Sequence, residues 1–293
     1  MTRETKRSTL WFACFAVLSL LMCGPQLVHL ARYSSEHESC SHILLIPLVS
    51  GFLVYMERKR IFSNVQPSIG LGTVLLFVGI AAYYAASRHR IALDENDYLS
   101  GTTFSIVTVG IAGFILCYGT RAFRAAAFPL LFLLLMIPIP SLLLERSIYL
   151  LQKGSTAAAH GLFTILNVPV YRDGFMLSLP GISIEVAQQC SGIRSSLALF
   201  ITSLLAGHLF LKSTWGKCLL CLTAFPLAIF KNGARIVTLS MLGVYLDRSF
   251  LSGDLHRKGG FVFFGLALGI MFPVLRLLQR FENKQGKGAA RSP

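Results

Sequence analysis

Residues 10–30, LWFACFAVLSLLMCGPQLVHL, carry no Asp, Glu, Lys or Arg. A bilayer's hydrocarbon core is about 30 Å thick and takes roughly 20 apolar residues of helix to cross, so this run is long enough to span it. It lacks a small-residue cleavage site after a short apolar core, which makes it a retained helix rather than a removed signal peptide. Similar runs recur at Ile69–Ala86, Leu99–Tyr118, Ala125–Leu144, Ile193–Leu211 and Gly260–Leu278, with shorter ones at Ser41–Met56 and Trp215–Phe230. With 54% hydrophobic and 14% charged residues and a mean hydropathy of +0.64, the chain reads as an all-α polytopic membrane protein. About eight transmembrane helices are expected.

Orientation follows from where the basic residues fall. With the amino terminus in the cytoplasm, the inner segments collect Arg3, Lys6, Arg7, Arg58, Lys59, Arg60, Arg121, Arg124, Lys212, Lys217, Arg276, Arg280, Lys284, Lys287 and Arg291 against only Glu4, Glu57 and Glu282. The net charge of +14 is thus topological, and no nucleic-acid partner is implied. Arg235–Asp247 is moderately apolar, but a ninth crossing there would carry the basic tail outside. It is expected at the outer interface or as a re-entrant piece. Both termini are then cytoplasmic, and Cys190, Arg235 and His256 share the outer face. Residues 1–280 are expected to form one membrane domain, and 281–293 a disordered basic tail.

The longest outer connection lies between Leu144 and Cys190. Ser147–Leu166 is mildly apolar and interrupted by Lys153-Gly154-Ser155, which suits a helix lying on or dipping into the interface. Asp173-Gly174 and Pro180-Gly181 are turn signals around Phe175–Leu179, and Ile182–Val186 alternates apolar and polar residues. A small extracytoplasmic β-hairpin is expected. It would deliver the chain to Cys190 from a fixed direction and offer an edge to an extended peptide.

Gln188-Gln189-Cys190-Ser191-Gly192-Ile193-Arg194 is a polar step into an apolar helix. A thiol attacks as thiolate, and a helix amino terminus beside a cation lowers its pKa. Cys190 is expected to begin a helix with Arg194 one turn on. His256, ahead of the last span, is a candidate for proton transfer. Arg235 is suited to pairing with the thiolate or stabilising an oxyanion, since a guanidinium stays charged.

Other roles compete for the same residues. Cys14, Cys23, Cys117, Cys218 and Cys221 read as small buried apolar residues, and Cys218/Cys221 form a lone CxxC with no second ligand pair. Cys40 is expected outside, where a disulfide to Cys190 would silence the thiol. His37, Cys40 and His42 are too irregular a set for a metal site and read as a solvated loop. No cofactor or metal is expected. Arg235 alone would be a snorkelling cation and His256 alone a loop histidine, whereas their shared face argues for a site.

The chain resembles the exosortases of the exosortase/archaeosortase superfamily. The likeness is carried by Ser41-His42-Ile43-Leu44-Leu45-Ile46-Pro47, Met136-Ile137-Pro138-Ile139-Pro140, Val186–Arg194, Pro226–Arg235 and His256-Arg257-Lys258-Gly259-Gly260. The Cys-Ser-Gly-Ile-Arg block, then Asn-x-x-Arg and a late His-x-x-Gly, is specific in order and spacing. The resemblance implies a bacterial inner-membrane cysteine transpeptidase that cuts exported proteins at a carboxy-terminal Pro-Glu-Pro-type sorting signal, working in the lipid bilayer and passing the product to an acceptor the sequence does not name. It implies Cys190 as nucleophile, Arg235 as catalytic arginine and His256 as proton donor and acceptor, with Arg194 assigned to thiolate or substrate positioning and Asn232 to substrate binding. A plain membrane endopeptidase is one alternative. From another class, a transporter or assembly factor for exopolysaccharide export, with charged residues lining a path, is the second.

Overall fold

The structure is a computed structural model describing residues 3–247 and 260–289, and it divides into two compact units, 1–144 and 145–293. Unit one holds α1 (Arg3–Glu36), α2 (Leu45–Ile61), α3 (Ile69–Arg88), α4 (Glu95–Ala125) and the short α5 (Ala127–Phe132). Among the described residues, seven helices of the chain are long and apolar enough to cross a membrane, or up to eight if a bent pair is one span. The chain is an all-α polytopic membrane protein with a small antiparallel sheet. Large side chains such as Leu21, Met22, Leu48 and Phe77 point outward, as expected where the surrounding solvent is lipid.

The core of unit one forms around α4, where Phe114, Ile115 and Tyr118 pack with Ile61 and Leu130. Asp94 caps this helix by accepting the Asp97 N–H at 2.7 Å, satisfying one of its orphan amides. Near its other end α4 kinks at Gly119, where a Cβ would lie 1.7 Å from the Gln66 carbonyl oxygen.

The expected span Ala125–Leu144 is not one straight helix. After α5 the chain tightens into a 3-10 turn at Leu133–Met136, then Ile137 goes extended (φ −74°, ψ 122°). Pro138 and Pro140 cause this, because a proline disfavours helix in the residue before it and supplies no N–H. The carbonyls left over find partners on α4: Ser100 donates to Pro138 O and Asn96 to Ile139 O, both at 2.8 Å.

Helix α6 (Ser141–Ile165) starts after this break and runs without interruption. Lys153-Gly154-Ser155 is therefore no break, contrary to the sequence expectation. Gly154 instead makes room for α8 (Thr214–Tyr245), since a Cβ there would lie 2.8 Å from Ile229. Gly233 of α8 likewise faces Ala158, at 2.7 Å from an added Cβ, the small-residue packing that brings membrane helices together.

The expected hairpin is a three-stranded antiparallel sheet in the order β1 (Tyr171–Asp173), β2 (Met176–Leu179), β3 (Ile182–Glu185). Asp173-Gly174 thus pairs a strand on its amino-terminal side as well. Leu177, Leu179 and Val186 bury against Ala159 and Phe163 of α6 and Ile236 and Val237 of α8. Helix α7 (Ile193–Phe210), α8 and α9 (Gly260–Ala289) share a second core built on Leu199, Leu220 and Ala267.

Arg235–Asp247 does not lie apart as an interfacial or re-entrant piece. Through Tyr245 it continues the helix begun at Thr214, giving α8 32 residues, about 48 Å at 1.5 Å per residue. The buried positions Ala228, Asn232, Ile236, Leu239 and Gly243 recur at helical spacing through both halves. One long helix thereby accommodates the stretch without a ninth crossing.

Candidate active site

The route into Cys190 is fixed at each step. Val186 donates its N–H to Phe175 O at 3.0 Å, and its carbonyl accepts from the buried Gln152 side chain of α6. The chain then forms a 3-10 turn at Gln188–Ser191, closed by Cys190 N–H to Ala187 O at 2.9 Å. Gly192 follows in the left-handed region (φ 75°, ψ 20°) and α7 begins at Ile193. Cys190 therefore precedes the helix rather than opening it, contrary to expectation. The left-handed residue breaks the helical phase, so Arg194 is not one turn above Cys190. It is exposed, as the second residue of α7.

Helix α8 holds this turn from behind. Asn232, 1% exposed, donates its Nδ2 to the Cys190 carbonyl at 2.8 Å. Its Oδ1 lies 3.0 Å from where a Cβ on Gly192 would stand. The Gly192 carbonyl accepts from the hydroxyls of Ser195 at 3.0 Å and Ser196 at 2.8 Å. Lys231, 2% exposed, donates to Ser195 Oγ. Through this bond Lys231 ties α8 to the first turn of α7.

In front of Cys190 is a cavity of about 240 Å³, lined by Cys190, by residues 182–186 and, on α8, by Asn232, Arg235, Ile236, Leu239 and Ser240. The fold thus brings Cys190, Asn232 and Arg235 to one cavity. Asn232 and Arg235 get there because they lie three residues apart on one helix. Arg194 is not among the lining residues, and His256 lies outside the described residues.

Lys231, Ser195 and Gln152 belong to the supporting structure and were missed at sequence level. A lysine inside an apolar run was the available signal for the first; nothing local marks the other two. Among the described residues no disulfide joins any of the seven cysteines, Cys40 included. Cys14 and Cys218 are exposed rather than buried, because helix faces that meet lipid need no protein cover. Cys40 is 3% exposed and His37 stacks on Tyr33 with ring centroids 3.8 Å apart, so this segment is more packed than a solvated loop. Among the described residues no three His, Cys, Asp or Glu side chains are grouped to hold a metal.

The sequence model of the transmembrane exosortase family (Exosortase_EpsH) matches residues 31–273. The chain belongs to that family. Neither a curated protein nor a solved structure matches it. The exosortase match takes in the sheet, the Cys190 turn, all of α7 and α8, and hence the whole lining of the cavity.

Proposed function

We propose that this exosortase is a cysteine transpeptidase of a bacterial inner membrane that cleaves exported proteins at a carboxy-terminal Pro-Glu-Pro-type sorting signal. The observation that carries the reading is the meeting of a thiol and a guanidinium, Cys190 and Arg235, in one cavity beside a strand edge. The Cys190 thiolate attacks the scissile carbonyl carbon, and the C–O electron pair becomes an oxyanion that Arg235 stabilises. Collapse breaks the C–N bond, and the amine leaves with a proton delivered by His256. The acyl group now sits on Cys190 as a thioester. An acceptor nucleophile gives its proton to His256, attacks the thioester carbonyl and releases the thiolate, so protons and electrons balance over the cycle.

Asn232 acts through the turn it holds, and Lys231 supports the same turn through Ser195, whose hydroxyl donates to the Gly192 carbonyl. Arg194, exposed at the mouth of α7, is assigned to the substrate outside the cavity. The distribution of basic residues favours cytoplasmic termini and a site on the outer face. Cys190→Ala tests the reading: processing of a candidate substrate should stop at unchanged protein level and insertion, and the wild type should carry a hydroxylamine-sensitive substrate adduct. Robust processing by Cys190→Ala would return the chain to a non-enzymatic role in export.

A further inference from the structure

In the β2–β3 ladder the register pairs Met176 with Glu185, Leu177 with Ile184, Ser178 with Ser183 and Leu179 with Ile182. The next pair in that register, Phe175 and Val186, is hydrogen-bonded, because Val186 N–H donates to Phe175 O. Antiparallel pairs alternate between bonded and non-bonded, so Ile184 and Ile182 also turn their N–H and C=O groups toward β2. Ser183 and Glu185 turn theirs the other way. In the strand order β1-β2-β3 no further strand among the described residues covers that side.

The cavity beside Cys190 is lined by every residue from 182 to 186. Side chains in a strand alternate between faces, so one face can present only every second residue. Five consecutive residues line a cavity when it runs along the strand's edge. That edge leads to Cys190, and α8 with Arg235 and Leu239 forms the opposite wall.

We infer that the free edge of β3 is the peptide-binding site: the substrate segment flanking the scissile bond lies extended along it and hydrogen-bonds to the backbone of Ser183 and Glu185 as an added strand. This rests on Cys190 being the nucleophile, and it explains how a cavity of about 240 Å³, below the roughly 300–1,000 Å³ of sites that enclose a whole ligand, serves a polypeptide. Backbone pairing supplies the affinity and the cavity takes a side chain.

The test uses full-length protein carrying Cys190→Ala and a synthetic peptide spanning the sorting signal of an exported protein, with binding as the readout. Ser183→Pro removes an N–H that points to the open edge and none that pairs with β2, a placement proline tolerates. Binding should weaken about 3- to 10-fold, the worth of one hydrogen bond, while Ser183→Ala binds as its parent does. On the peptide side, N-methylation of successive non-proline residues should weaken binding at alternate positions only. Parent-like binding by Ser183→Pro, or N-methyl sensitivity without a period of two, overturns the edge site. Processing that survives Cys190→Ala would overturn the catalytic reading and leave a periodic binding pattern standing, so the two failures are distinguishable.

Discussion

Gly192→Ala strikes the turn that presents Cys190 without touching the thiol. Gly192 sits at φ 75°, ψ 20°, a region that costs a residue with a Cβ about 1–2 kcal/mol. The added carbon would stand 3.0 Å from Asn232 Oδ1, and Asn232, buried under the turn, relieves the crowding only by moving. Its Nδ2 bond to the Cys190 carbonyl is then lost, at about 0.5–1.5 kcal/mol. The two together come to about 1.5–3.5 kcal/mol, or roughly 10- to 400-fold in the population of the competent turn. The cost is local, so the helical bundle should form and insert normally. The assay is the processing rate in isolated membranes, normalised to protein amount. Gly192→Asn separates the two effects, since Asn enters the left-handed region more readily than Ala but meets the same neighbour, and it should fall between wild type and Gly192→Ala. Wild-type processing by Gly192→Ala would refute the link between turn geometry and thiol placement.

Arg235→Lys should process about 100- to 1,000-fold more slowly than wild type, because a compact ammonium does not replace the planar fork at a developing oxyanion; near-wild-type rates for both Arg235→Lys and Arg235→Ala would remove it from the catalytic set. Cys190→Ala, His256→Ala and the double variant should be about equally inactive, as expected of a nucleophile and base acting as one unit. Additive losses in single-turnover rates would separate them. A membrane-impermeant thiol reagent on intact spheroplasts should label Cys190 and spare Cys218, and labelling of Cys190 only after the inner face is opened would reverse the orientation.

The spans and the strand before Cys190 were legible because each is written in local periodicity: unbroken apolar runs for helices, alternation for Ile182–Val186. Three features were not. The break at Pro138–Pro140 was hidden by its own hydropathy, as prolines and Ile139 read as apolar while ending the helix. The unity of α8 was hidden by Lys231 and Arg235, whose charges lower the mean hydropathy although Ala228, Asn232, Ile236 and Gly243 keep one buried face. Gly154 looked like a breaker because its close fit against Ile229 is a tertiary fact. At the site, residue type and order singled out Cys190 and Arg235, and the fold brings these two to one cavity. The Asn232 clamp on Cys190 was out of reach, since it joins residues 42 apart in sequence.

Because Asn232, Arg235 and Leu239 reach the cavity from a single uninterrupted helix, their positions are tied by rotation about one axis. Adding or removing a residue in the apolar first half of α8, near Leu222, would turn everything beyond it by about 100° and shift it by 1.5 Å. The amide would leave the Cys190 carbonyl, the guanidinium would leave the cavity and Gly233 would no longer face Ala158, all from a change beside Leu222, an exposed side chain that lines no part of the cavity. The length of that first half therefore bears on the geometry of the cavity as directly as the residues that line it.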